Sequence, residues 1–335
     1  MVQAAILGAS GFVGGELLRL AAQHPHIRPV RLFGDSQAGA PLEKVHPHLA
    51  PAYSQTTVER FEPALLDGID LVFAALPHGH SQRLAGEIMG RGIAFVDLGA
   101  DFRLKDPADY QRWYGEAHEA PELLSSFVYG IPELSRDEIR SARAVAAAGC
   151  YPTSAILALK PLIGANLIDP SSIIVNAASG VTGAGRTLKE ETHFCTVDEN
   201  FAAYGLLTHR HTAEMEASLG ASVLFTPHLA PMNRGILATC YAAARGPCDP
   251  LAALRAAYAD EPFVHVSERP PSTKWTLGSN AVHLTARYDE RTGRVLAIAA
   301  LDNLVKGAAG QMIQCANLML GFEETAGLST VGVYP

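Results

Sequence analysis

Short apolar runs alternating with amphipathic stretches fill the first third of the chain. "VQAAIL" reads as a strand, "GFVGGELLRLAAQHP" as a helix ended by Pro25, and "PVRLF" as a second strand. "IDLVFAAL", stopped by Pro77, is a third strand, "HSQRLAGEIMGRG" the next helix, and "IAFVDLG" a fourth strand. Strands that alternate with helices predict βαβ units and a parallel sheet covered on both faces. Around Asp101 the pattern breaks: "ADFRLKDPADYQRWYGEAHEAPELL" mixes charges, aromatics and prolines and reads as a surface excursion. "FVYGIPEL" and "RAVAAAG" then supply two more short strands.

After Cys150 the texture changes. "YPTSAILALKPLIGANLI" is helical, and "SSIIVNAASG" is a strand that runs into the glycine-rich loop "GVTGAG". "ASVLFTPHLAP", "GILATCYAAA", "AVHLTARYD" and "VLAIAALD" are strand-like, some alternating apolar with polar, as in a mostly antiparallel sheet. "DPLAALRAAYADEP" is a helix that Asp249 caps and Pro250 opens, and "NLVKGAAGQMIQCANLML" is a long closing helix. The fold class is therefore α/β: a doubly wound domain, then an α+β domain with a mostly antiparallel sheet. The boundary falls just before Cys150. Residues 1–149 form the first domain, completed by the C-terminal helix and tail 304–335, and residues 150–303 form the second.

Composition narrows the function classes. A chain of 335 residues fits about two domains. A net charge of −8 argues against nucleic acid or an anionic membrane surface as a partner. "MVQAAILGASG" lacks a basic leader and does not read as a signal peptide, and no apolar run approaches the ~20 residues of a membrane span. Five cysteines without a leader suit a reducing cytoplasm better than a disulfide framework. Four H-x-H pairs (His24/His26, His46/His48, His78/His80 and His209/His211) raise the question of zinc. With no C-x-x-C and no H-E-x-x-H, the expectation is no metal.

Two stretches carry chemistry. "AAILGASGFVGGELL" places Gly8, Gly11 and Gly14 between a strand and a helix, the setting in which backbone N–H groups at a helix start hold a pyrophosphate. Ser10 adds a hydroxyl. An acid after the second strand, Asp35, leans toward the ribose hydroxyls of NAD, and Ser36 is compatible with NAD or NADP. In "AAAGCYPTSAIL", Cys150 stands at a helix start, where the helix dipole favours a thiolate and N–H groups can hold an oxyanion. Cys240 and Cys315 read as core, and Cys195 and Cys248 as surface or loop thiols. In "LLTHRHTAE" a helix starts near Thr212, so the residues before it are taken as extended. His209 and His211 then face one way and Arg210 the other, a general acid/base pair whose division of labour is open.

These motifs resemble N-acetyl-γ-glutamyl-phosphate reductases, relatives of aspartate-semialdehyde dehydrogenase and, more distantly, of glyceraldehyde-3-phosphate dehydrogenase. "GASGFVGGELLRL", "LPHG", "DLGADFRL", "VYGIPEL", "AAGCYPTSAILAL", "SGVTGAGR", "HRHTAE", "PMNRGIL" and "DNLVKGAAGQ" carry the likeness in order along nearly the whole chain. The resemblance implies a Rossmann-type cofactor domain and an acyl-phosphate reductase. Cys150 would be the acylated nucleophile, with His211 the first choice of acid/base and His209 assisting or binding substrate. Arg103 would hold the acyl-phosphate group, and Arg186 and Lys189 are further substrate anchors. Gly8, Ser10, Gly11, Phe12, Val13, Ser36, Pro77, Gly180 and Asn303 would line the cofactor; apart from the likeness, Gly180 reads as a turn glycine and Asn303 as a helix N-cap, which is compatible with the cofactor role. NADP is the implied cofactor, yet Asp35 stands where a basic contact to the 2′-phosphate is expected, so NAD stays open. A homodimer or homotetramer is implied. Rival readings are a reductase of aspartyl phosphate, one of a carrier-protein-linked acyl phosphate, and a non-catalytic nucleotide-sensing regulator.

Overall fold

The computed structural model describes residues 1–334 and divides into two units, Met1–Ala148 with Ala308–Leu328, and Gly149–Gly307 with the segment from Ser329. The first unit alternates as its sequence pattern dictates. β1 (Val2–Leu7) leads to α1 (Phe12–Ala21), and β2 (Ile27–Phe33) to the short α2 (Leu42–Val45). β3 (Leu71–Ala74) leads to α3 (Ser81–Gly90), and β4 (Ala94–Asp97) to α4 (Pro107–Tyr114). β5 (Phe127–Gly130), α5 (Pro132–Ser141) and β6 (Ala144–Ala147) complete it. The six strands lie parallel in the order β2-β1-β3-β4-β6-β5. Every residue of β3 and β6 is buried, as in strands covered on both faces.

The stretch after Asp101 is the surface excursion its charges and prolines suggest over most of its length, residues 105–109, 111, 112 and 115–117 being exposed, but buried anchors pin it to the core. Asp101, Phe102, Leu104 and Tyr110 are all buried, and Phe102 stacks on Phe127 with ring centroids 3.8 Å apart. The buried Asp101 carboxylate accepts the backbone N–H groups of Gly79 at 2.6 Å and Gln82 at 3.1 Å, which compensates its desolvation at the start of α3. Arg103 is likewise buried, its Nη2 donating to the Leu98 carbonyl at 2.5 Å.

The second unit opens with α6 (Cys150–Gly164) and β7 (Ile174–Gly180), followed by the short α7 (Phe194–Val197) and β8 (Ala202–Ala203). α8 (His211–Leu219), β9 (Leu224–Ala230), β10 (Ile236–Ala243) and α9 (Pro250–Ala257) continue it. β11 (Val264–Val266), β12 (Val282–Asp289) and β13 (Arg294–Leu301) finish a seven-stranded mixed sheet in the order β11-β12-β13-β10-β7-β9-β8. Only β11/β12 and β7/β9 pair parallel. β10 alternates buried and half-buried along its length because one sheet face packs on α6.

The closing helix differs from its sequence reading. A π-helical turn spans Val305–Ala309, and the regular helix α10 (Gly310–Met319) belongs to the first unit, where it packs on α5. The terminal tail is corrected too: from Ser329 it joins the second unit, as Asn280 N–H donates to the Ser329 carbonyl and Val333 N–H to that of Leu277.

Candidate active site

Cys150 is the first residue of α6, with Gly149 in extended conformation as its N-cap. The backbone crosses close over this thiol: a Cβ on Gly307 would stand 2.7 Å from that of Cys150, so position 307 takes no side chain. A cavity of about 750 Å³ opens beside it, lined by Cys150, His209 and His211 together. The "HRH" stretch therefore borders the same cavity as the thiol.

Its conformation is not the expected one. Arg210 is helical rather than extended, with φ −59° and ψ −29°, and His211 begins α8. The two imidazoles still adjoin, with centroids 4.8 Å apart, but Arg210 lines the same cavity. Helical curvature, not strand alternation, brings the rings together.

The histidines are not equivalent. His209 Nδ1 accepts the backbone N–H of His211 at 3.2 Å, so its ring proton sits on Nε2. Burial, reinforced by the neighbouring His211, pushes the His209 imidazole down from 6.5 to about 3. It is neutral at physiological pH. His211 instead faces a carboxylate: its Nε2 lies 3.8 Å from Glu214 Oε1. Glu214 is fully buried, and its other oxygen accepts the N–H of Gly149 at 3.0 Å. One carboxylate thus braces the start of α6 and backs the histidine. The three-residue spacing between His211 and Glu214 was the available sequence signal for this pairing.

Two tyrosines close the group. Tyr151 donates to the His228 carbonyl at 3.0 Å and receives the Tyr204 hydroxyl at 3.2 Å. Burial raises both phenols, Tyr204 to about 12. Tyr151 stands edge-on to both imidazoles and holds their orientation.

The depressed His209 basicity has a stability consequence. The unfolded chain takes up this proton near pH 6.5, while the folded chain resists it down to about 3. Stability from this group is complete above the unfolded value and is lost as pH falls through that window. His209→Gln is expected to flatten the acid limb of Tm against pH between those values; an unchanged slope contradicts the assignment.

The curated relatives decide the family. The chain is 48% identical over its full length to an N-acetyl-gamma-glutamyl-phosphate reductase of Pelotomaculum thermopropionicum, covering 99% of that protein. It is 47% identical to the one from Rhodospirillum rubrum, covering all of this chain and 99% of that one. The chain belongs to the N-acetyl-gamma-glutamyl-phosphate reductase family. Two family models fit it: "Semialdehyde dehydrogenase, NAD binding domain" over residues 3–142, and "Semialdehyde dehydrogenase, dimerisation domain" over residues 150–303. The fold matches aspartate semialdehyde dehydrogenase II from Vibrio cholerae at TM-score 0.70 and 17% identity, covering 95% of this chain and 98% of that one. It matches the Candida albicans aspartate semialdehyde dehydrogenase with NADP at TM-score 0.70 and 14% identity, covering 96% and 98%.

As a reductase of this family the chain carries an NAD(P)-binding domain, and its glycine loop fits a dinucleotide. Gly8 has φ +82°, and a Cβ there would meet the Ala75 carbonyl oxygen at 2.3 Å. A Cβ on Gly14 would meet the Gly8 carbonyl at the same 2.3 Å. Gly11 caps α1, and no acid occupies the first turn, so the backbone at Phe12 and Val13 presents an uncontested positive helix end. Ser10 lies in this loop, Ser36 is exposed beyond β2, and Pro77 follows β3.

Of the remaining expected residues, Lys189 lines the cavity and lies 4.0 Å from Glu191, while Arg186 is exposed and absent from the cavity lining. Gly180 ends β7, and a Cβ there would strike the Asn233 carbonyl oxygen at 2.6 Å. Asn303 is buried. It accepts the Gly235 N–H at 2.7 Å and donates to Thr182 Oγ1 at 3.0 Å, joining the two loops. Asn303 is not the N-cap it was expected to be: Asp302 Oδ1 takes that place, accepting from Leu304 and Val305.

His24 and His46, from two of the other pairs, serve structure. His24 Nδ1 accepts the N–H groups of His26 and Ile27, and His46 Nε2 bonds the Ala9 carbonyl at 2.9 Å. Among the described residues no three His, Cys, Asp or Glu gather as metal ligands, and no helix is long and apolar enough to cross a membrane.

Proposed function

We propose that this chain reduces N-acetyl-γ-glutamyl phosphate to N-acetyl-glutamate 5-semialdehyde and phosphate, with NADPH as reductant, in the cytoplasm, as a step of arginine biosynthesis. The supporting observation is a helix-start thiol sharing one cavity with a carboxylate-backed histidine.

The proton of Cys150 passes to His211, whose imidazolium is balanced by Glu214. The Cys150 sulfur forms a bond to the γ-carbonyl carbon, the carbon–oxygen bond to phosphate breaks, and phosphate leaves with the bonding pair. The product is a thioester, a better hydride acceptor than a carboxylate, and division into two easier steps is the purpose of a covalent intermediate. Gly8, Ser10, Gly11, Phe12 and Val13 would hold the cofactor's pyrophosphate, with Ser36, Pro77, Gly180 and Asn303 the remaining contacts; when bound, the nicotinamide supplies the hydride. N–H groups at the start of α6 stabilise the oxyanion on the tetrahedral adduct. When the carbon–sulfur bond breaks, sulfur keeps the pair, the aldehyde is released, and the His211 imidazolium returns its proton to the Cys150 sulfur. Neutral His209 contributes an Nε2–H donor toward substrate. Lys189, Arg186 and Arg103 are the cationic candidates for the substrate's carboxylate and phosphate.

The protein acts as a homo-oligomer, a dimer or a tetramer. The exposed apolar side chains of Leu188, Phe194, Leu206 and Leu207 in the second unit support this.

The test is phosphate-dependent oxidation of N-acetyl-glutamate 5-semialdehyde, followed at the nicotinamide absorbance, beside aspartate semialdehyde and a carrier-linked semialdehyde. The expected kcat/KM favours the N-acetylated substrate by at least about 100-fold. Preference for either rival transfers the protein to that reaction, and turnover of none, with cofactor bound, identifies a sensor.

A further inference from the structure

The sequence after β2 lacks the basic residue expected beside a 2′-phosphate, and the fold supplies one from elsewhere. The amides of Gly8 and Ala9 both donate to the Phe33 carbonyl, at 3.0 and 2.9 Å, so the end of β2 is tied to the glycine loop. A Cβ on Gly34 would lie 3.1 Å from Ser10 Oγ. This is the place where a Rossmann-type fold receives the adenosine ribose. Here it is lined by bare glycine, with Asp35 next and fully exposed.

A second segment is laid along the same strand end. Glu59 N–H donates to the Leu32 carbonyl at 2.8 Å, Gly34 N–H to the Glu59 carbonyl at 3.0 Å, and Gly39 N–H to the Val58 carbonyl at 2.8 Å. These bonds fix the backbone immediately before Arg60. Its Nη1 reaches to 3.6 Å from Asp35 Oδ1, with the side chains 72% and 96% exposed. So exposed a pair contributes little to stability, and its partners exchange readily for a ligand. The other nearby cation, Arg31, is engaged by both oxygens of Glu59, at 3.1 and 3.3 Å.

We propose that Arg60 recognises the 2′-phosphate of the cofactor and that Asp35 opposes it. The inference rests on the nicotinamide-dependent reading above. A lone carboxylate at this position would repel a phosphate and favour a ribose hydroxyl. With the guanidinium beside it, that charge is offset, and a planar fork is available to the phosphate oxygens. The adjacent acid and base make the site a two-way reader, in which each cofactor uses one member of the pair.

The experiment is calorimetric titration of NADP⁺ and NAD⁺ into the full-length protein, its R60A, R60K and D35N variants, with 2′,5′-ADP as a probe without nicotinamide. R60A is expected to weaken NADP⁺ and 2′,5′-ADP by about tenfold or more and to leave NAD⁺ within about twofold. R60K retains part of the NADP⁺ affinity, D35N strengthens NADP⁺ at the expense of NAD⁺, and rising salt erodes NADP⁺ binding more than NAD⁺ binding. Equal losses for both cofactors in R60A, or none for either, overturn the proposal while leaving the dinucleotide site intact. If the unaltered protein binds neither cofactor, the dinucleotide reading falls as well.

Discussion

Cys150→Ser is expected to lower kcat by at least about 10⁴-fold while cofactor affinity stays within about twofold. A serine hydroxyl at the head of α6 has the same shape but remains protonated at neutral pH, and its oxygen is a far weaker nucleophile than a thiolate. The reaction has no second route, because without the thioester a hydride would have to add to an acyl phosphate held by no covalent bond. The variant should fold, since oxygen replaces sulfur at a half-buried position and the neighbouring Gly307 crossing is no more crowded. Two measurements separate the possibilities. Intact-mass analysis after mixing with acyl phosphate, without reductant, should show an acyl adduct on the unaltered protein and none on the variant. Near-normal turnover in Cys150→Ser removes the covalent mechanism altogether.

The second large effect concerns the division between the histidines. His211→Gln is expected to reduce kcat by about 10²–10⁴-fold, the usual contribution of a positioned acid/base, and to abolish the limb of the pH–rate profile belonging to that group. His209→Gln should act mainly through KM, with kcat falling less than about tenfold. The reasons lie in the partners. His209 has spent Nδ1 on the His211 amide and resists a second proton, whereas His211 has a buried carboxylate 3.8 Å away to balance an imidazolium. Glu214→Gln then keeps the shape and hydrogen bond at Gly149 but removes the counter-charge. It should shift the pH–rate profile more than it lowers thermal stability. Reversed results for the two histidines exchange their roles.

Much of the architecture was legible because covered parallel strands announce themselves as short apolar runs. "VQAAIL" coincides with β1, and Asp249 does cap α9, accepting the Ala252 N–H at 3.0 Å. β8 and β11, of two and three residues, were not legible, since strands so short carry no period. The stretch from Asp101 reads as surface and is exposed along most of its length, but its buried anchors were not legible, because the backbone amides that accommodate Asp101 come from residues about twenty positions earlier. Cys150 could be read from the dipole logic of a helix start, and the histidines from their number and spacing. Their inequivalence could not, because it depends on a main-chain amide for one and a buried carboxylate for the other. Arg60 was equally out of reach, being brought to Asp35 by backbone pairing across some twenty-five residues.

The membership of α10 bears on synthesis. Residues 1–148 of the first unit precede the second unit in the chain, yet their sheet and α5 are covered by a helix that begins at Gly310. Chains emerge from the ribosome N-terminus first, at about 5–20 residues per second. The first unit, begun before the second, therefore waits roughly ten to thirty seconds for its helix, with the surface that Met312, Ile313 and Cys315 will bury still open to solvent. A chain truncated shortly before α10 should expose that surface permanently.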